Sequence, residues 1–145
     1  MTKVKLLIVD DEIEFATTLA ERMELRGIAT QTTNNGKEAL EIVHSSPPDL
    51  VILDLKLPDM SGLEVLQHIK SMHPSIEVIM LTGHGSLASG IEGMEKGAFD
   101  YLTKPVDLSD LIEKLKMADK KRNKDEKTDG CAEGKFNPTG VTRLF

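Results

Sequence analysis

Leu50-Val51-Ile52-Leu53-Asp54 is the stretch on which the reading of the fold turns. Four apolar residues in succession, without alternation, suit a strand buried on both faces, as in the middle of a parallel sheet. Two runs of the same kind lie to either side: Val4 to Val9, interrupted only by Lys5, and Ile76 to Leu81, interrupted only by Glu77. Ile28-Ala29-Thr30-Gln31-Thr32 is shorter and more polar and reads as an edge strand, and Tyr101-Leu102-Thr103 as a further one. Between these runs the spacing turns helical. Phe15, Leu19 and Met23 repeat every four residues beside Ala16 and Ala20, and Leu108, Leu111, Ile112 and Leu115 trace one buried face. Asn35-Gly36-Lys37-Glu38 and Ser61-Gly62-Leu63-Glu64 resemble capping boxes, and Asp107 is placed to cap the last helix. Alternating strands and helices predict an α/β fold, a doubly wound parallel sheet with helices on both faces.

Composition bounds the rest. A chain of 145 residues is about one domain, and 39 % hydrophobic with 29 % charged residues is the balance of a globular protein. No apolar run approaches the ~20 residues of a membrane span, and the amino terminus lacks a basic-then-apolar signal pattern. The single cysteine, Cys131, cannot form an internal disulfide or a zinc cage, so a cytoplasmic location is expected. A net charge of −6 argues against direct nucleic-acid binding. That charge is uneven: residues 1–119 carry −9 and residues 120–145 carry +3. Lys120 to Lys127 contains no apolar residue, so the expected division is a folded domain over 1–122 and a polar, disordered tail over 123–145.

Polar residues follow the strands in a pattern. Val9 is followed by Asp10-Asp11-Glu12, Leu53 by Asp54, Leu81 by Thr82, and Leu102-Thr103 by Lys104-Pro105. Open α/β sheets bind ligands outside the carboxyl ends of their strands, so all of these groups are expected on one edge. Clustered carboxylates repel unless a cation sits among them, and oxygen ligands select a hard ion such as Mg2+. A lysine and a hydroxyl facing that ion make a cradle for a phosphoryl group, with Asp54 as the nucleophile. Taken singly, each residue has a plainer reading: an acid at 10–12 as a helix cap, Asp54 or Thr82 as a turn residue, Lys104 as a surface charge. Their coincidence at successive strand ends favours a site.

Asp10-Asp11, Asp54, Thr82 and Lys104-Pro105 together resemble the receiver domain of two-component response regulators. Leu81-Thr82-Gly83-His84-Gly85-Ser86 and Gly97-Ala98-Phe99-Asp100-Tyr101-Leu102-Thr103-Lys104-Pro105 are especially similar to receivers of the nitrogen-regulator type. The resemblance implies a flavodoxin-like sheet of order 2-1-3-4-5. It implies that Asp54 accepts phosphate from a phosphohistidine on a partner histidine kinase or phosphotransfer protein. Asp11, Asp54 and the backbone carbonyl of Lys56 would hold Mg2+ directly, with Asp10 acting largely through water. Thr82 and Lys104 would bind the phosphoryl oxygens, and Tyr101 would turn inward on activation. The chain would then be a signalling switch rather than an enzyme, with its partner face on the fourth helix, fifth strand and fifth helix. A homodimer through that face and an unidentified downstream protein are the expected associations, and no membrane contact is expected. Lys104-Pro105 is a candidate cis peptide.

Some residues depart from that family or add to it. Gly90 and Gly93 stand inside the fourth helix, where each costs about 1 kcal/mol relative to alanine. They mark either a marginal helix or a close approach to a neighbour. Lys56 and His84 lie two residues after Asp54 and Thr82 and are expected to tune the lifetime of an acyl phosphate, with His84 otherwise an exposed loop imidazole. His44, His68 and His73 lack metal-ligand spacing. Phe136, Val141, Leu144 and Phe145 offer a short docking segment if the tail is ordered at all. The main alternative is a Mg2+-dependent phosphatase with an aspartyl nucleophile, which is disfavoured because it needs an acid where Lys56 stands. A flavodoxin-like cofactor binder is disfavoured by the acidic loop after Val9 and by 3 % aromatic content.

Overall fold

Burial sorts the strands as their composition requires. In a computed structural model, which describes residues 3–133 and the side-chain surroundings through 124, the elements alternate without exception. They are β1 (Lys5–Val9), α1 (Ile13–Glu24), β2 (Ala29–Thr33), α2 (Gly36–Ser45), β3 (Leu50–Leu53), α3 (Gly62–Met72), β4 (Glu77–Thr82), α4 (Leu87–Glu95), β5 (Asp100–Thr103) and α5 (Leu108–Glu133). All five strands pair in parallel in the order β2-β1-β3-β4-β5. The fold is therefore the doubly wound, flavodoxin-like one, with helices on both faces. β3 and β4 are buried along their whole length, whereas β2 and β5 lie at the edges.

The period of the strands divides the core into two layers. Leu6, Ile8, Leu50, Ile52, Ile79 and Leu81 face α1 and α5, meeting Ala16, Leu19, Met23, Leu111, Leu115 and Ala118. Leu7, Val9, Val51, Leu53, Val78 and Met80 face the other way, against Ala39, Val43, Val65, Leu66 and Ile69 of α2 and α3. Each fully buried Leu, Ile or Val stabilises the fold by about 1.5–3 kcal/mol before chain entropy is counted, so the central strands anchor everything attached to their ends.

The helix starts use the expected residues in altered ways. Asn35 accepts from the Glu38 backbone, but the Glu38 carboxylate turns to the Thr33 hydroxyl instead of closing a box. Ser61 accepts from Leu63, and Asp107 accepts from the Ser109 backbone at 2.8 Å. The reciprocal box belongs to α4, where Ser86 and Ser89 cap each other. α5 continues past residue 122 to Glu133, through the polar stretch at which the composition shifts. Phe136, Val141, Leu144 and Phe145 lie outside the described residues.

One interruption in a buried run has a structural use. Glu77, at the start of β4, is buried and meets Lys121 of α5 at 2.9 Å and Lys70 of α3 at 3.8 Å. Lys70 also donates to the carbonyls of Pro74 and Ile76. The amino-terminal edge of the sheet thus ties together helices from its two faces.

Candidate functional site

The opposite edge collects the charges. Pairing of β1 with β2 and β3 sets two backbone bonds just beyond the strands: Asp10 N–H donates to Thr33 at 3.0 Å, and Asp54 N–H donates to Val9 at 2.9 Å. The two carboxylates are thereby held side by side, 2 % and 1 % exposed. Lys104 arrives from β5, its N–H donating to the Thr82 carbonyl at 2.9 Å, and the Lys104–Pro105 peptide is cis. Its ammonium reaches across the sheet end to Asp10 Oδ2 at 2.8 Å, Glu12 Oε1 at 2.5 Å and Asp54 Oδ2 at 3.4 Å. The ring of Phe15 lies 4.3 Å beneath it.

Electrostatics follow from this packing. Burial pushes the Asp10 carboxyl up to about 6, against the lowering effect of its bonds to Lys104 and the Glu12 N–H, with Asp54 adding repulsion. Burial opposes the charge on Lys104, but its bonds to Asp10 and Glu12 and the Asp54 charge outweigh it and hold the ammonium above its ordinary range. The lysine is therefore a fixed cation facing two buried acids.

Oxygens of Asp10, Glu12 and Asp54 lie within 4.8 Å of one another. An all-carboxylate donor set of this size suits a hard divalent cation such as Mg2+. Asp11, the expected direct ligand, is exposed and is not among the three. The chain bends at Asp11, and the Glu12 N–H donates to Asp10 Oδ1 at 2.8 Å, which keeps Glu12 close to the buried acids. Lys56 sits beside Asp54, its N–H approaching Oδ1 at 3.4 Å.

Thr82 is fully buried, and its hydroxyl oxygen accepts the His84 N–H at 3.0 Å, which leaves the hydroxyl hydrogen available. Tyr101 is half-buried on β5, away from the acids, with its hydroxyl 2.7 Å from Ser89 Oγ on α4. Its berth is lined by glycines. A Cβ at Gly85 would fall 2.0 Å from the Tyr101 hydroxyl, whereas one at Gly90 or Gly93 would meet the ring at an ordinary 3.4 or 3.5 Å. Gly62 is equally confined, since a Cβ there would lie 2.1 Å from the Asp54 carbonyl oxygen. That residue lets α3 start directly against the Asp54 backbone.

Sequence reasoning placed Asp10, Asp54, Thr82 and Lys104 at this edge and overlooked Glu12 as a partner of Lys104. Glu12 stands at the N-cap position of α1 but makes no side-chain cap. An acid at a helix start is ordinarily read as a cap, and only a lysine 92 residues away reveals otherwise.

Comparison with known proteins agrees with the geometry. Residues 6–116 match the family model of the response regulator receiver domain. The chain is 42 % identical over 123 residues to the response regulator protein PilR of Pseudomonas aeruginosa, covering 85 % of this chain and 28 % of that protein. It is 35 % identical over 111 residues to the DNA-binding transcriptional regulator NtrC of Escherichia coli, covering 77 % and 24 %. Among solved structures, the CheY-like receiver domain protein of Methanospirillum hungatei superposes with a TM-score of 0.82 at 31 % identity, covering 84 % of this chain and 98 % of the other. The chain thus spans about a quarter of the two longer regulators.

Proposed function

The chain belongs to the response regulator receiver domain family, and on that premise we propose that it is a switch which takes a phosphoryl group onto Asp54. The observation that carries this reading is the Lys104 ammonium seated between two buried carboxylates, 3.4 Å from one Asp54 oxygen. An oxygen of Asp54 attacks the phosphorus of a phosphohistidine on a partner kinase or phosphotransfer protein. The new P–O bond forms as the P–N bond breaks, and the electron pair returns to the imidazole nitrogen. Transfer of this kind depends on positioning and charge neutralisation. Asp10, Asp11 and Asp54, with the Lys56 carbonyl, would hold Mg2+, which when bound offsets the negative charge of the acids and of the phosphoryl oxygens. Lys104 and the Thr82 hydroxyl then bind those oxygens.

The group adds roughly −1.5 to −2 charge to the sheet edge. Drawing the Thr82 hydroxyl toward it opens space behind β4, into which Tyr101 turns, leaving Ser89. The face formed by α4, β5 and α5 changes shape, and a downstream protein or a second copy reads the change. A cytoplasmic setting suits this role. Among the described residues, no helix is long and apolar enough to cross a membrane.

The test is incubation with acetyl phosphate and Mg2+, followed by intact-mass measurement of the parent and of Asp54→Asn. The parent is expected to gain a single phosphate, only with the metal present, and the variant none. Continuous turnover of unrelated phosphate esters would instead favour the phosphatase reading.

A further inference from the structure

Lys104 has a closer partner than either buried acid. Glu12 Oε1 lies at 2.5 Å, against 2.8 Å for Asp10 and 3.4 Å for Asp54. Phe15, three residues on and on the same helical face, places its ring 4.3 Å from the ammonium. The beginning of α1 therefore forms a berth for the cation. Capping does not account for Glu12, whose side chain makes no cap bond. The partners also differ in what they lose on separation. The Asp10 side chain is 3 % exposed and would be stranded without Lys104, whereas the Glu12 side chain is 59 % exposed and can turn to water at small cost.

From this geometry we infer that Glu12 is a positioning residue acting through Lys104, a brake that parks the ammonium against α1 and competes with a phosphoryl group for it. The inference rests on the reading of Asp54 as acceptor. A dianionic group on Asp54 needs the same ammonium and repels the Glu12 carboxylate, so the phosphorylated state forms only as that ion pair is given up. Neutralising Glu12 removes the competition and the repulsion together.

The experiment is calorimetric titration of the full chain with beryllofluoride, a non-covalent stand-in for the phosphoryl group, at saturating Mg2+. Parent, Glu12→Gln and Glu14→Gln are compared; Glu14 is an exposed acid on the same helix and serves as the control. Glu12→Gln is expected to bind about two- to fivefold tighter at low salt, the scale of one exposed ion pair. The advantage should shrink in about 0.5 M KCl, which screens charge but leaves packing untouched. Glu14→Gln should match the parent. Nitrogen-15 NMR of the Lys104 ammonium without beryllofluoride reads the berth directly: its shift should change in Glu12→Gln and not in the control. Equal or weaker binding by Glu12→Gln, a gap indifferent to salt, or an unmoved Lys104 signal overturns the role of Glu12 alone. A parent that binds no beryllofluoride overturns the acceptor reading and this one with it.

Discussion

Asp10 is the residue at which burial and function pull hardest against each other. Its carboxyl ionises near 3.8 in the unfolded chain and near 6 in the folded one. Between those values the unfolded chain has released a proton that the folded protein keeps. The residue's contribution to stability is thus fully present below 3.8 and lost as the pH rises through about 6. Asp10→Asn should therefore raise the stability of the metal-free protein at pH 7 by about 1–3 kcal/mol. In thermal melts across the pH range, the gain should vanish near pH 4; equal melting at pH 7 would count against burial as the cause. Gly85 makes a second case. Its missing side chain is what admits the Tyr101 hydroxyl, since a Cβ would lie 2.0 Å away. Gly85→Ala should drive the ring from its place, whereas Ser89→Ala should leave room for the ring and remove its hydrogen bond together with Ser89's half of the α4 capping box, at about 0.5–1.5 kcal/mol for each bond lost. Ring NMR shifts of Tyr101 would separate the two: a large change for the glycine variant, a small one for the serine variant.

Among the elements, α4 is the least anchored. Leu87 is 82 % exposed, Ile91 and Met94 are also turned outward, and Gly93 is the only buried residue of the helix. A Cβ at Gly90 would make only ordinary contact with the Tyr101 ring, so close packing does not demand glycine there. Gly90→Ala should stabilise the helix by about 1 kcal/mol through backbone entropy. Hydrogen exchange is the measurement: amides of 87–95 should exchange faster than those of α1 in the parent and slow down in the variant. Protection in the parent equal to that of α1 would rule out a soft output face. The clamp at the other edge belongs to α5. Lys121 is half-exposed, yet it pairs with the buried Glu77 at 2.9 Å. Lys121→Ala should cost about 1 kcal/mol, discounted for solvent and for the second lysine at Glu77. Denaturant unfolding should show a lower midpoint with an unchanged slope.

For the whole molecule, the proposed switch runs from Asp54 through Thr82 to Tyr101, across the three neighbouring strands β3, β4 and β5. Tyr101 is the only tyrosine and there is no tryptophan, so tyrosine emission reports on that one ring. Beryllofluoride with Mg2+ should change the emission as the ring leaves Ser89, and Asp54→Asn should show no change. An unchanged signal in a parent that binds the anion would separate occupancy of the site from movement of Tyr101. Such a movement is a shift between two packings, limited by how much better the phosphoryl group holds one than the other.

Pattern along the chain was enough for the alternating elements, the buried central strands and the edge at which Asp10, Asp54, Thr82 and Lys104 meet. Burial on both faces leaves its mark in consecutive residues, and parallel strands send all their carboxyl ends to one side. Contacts between distant parts of the chain leave no such mark. That Glu12 rather than Asp11 turns to Lys104, that Glu77 draws in Lys70 and Lys121, and that Gly62 and Gly85 make room for the Asp54 carbonyl and the Tyr101 hydroxyl were decided by packing. Each depends on which side chains arrive at one point from separate elements, and only the assembled sheet and helices bring them there.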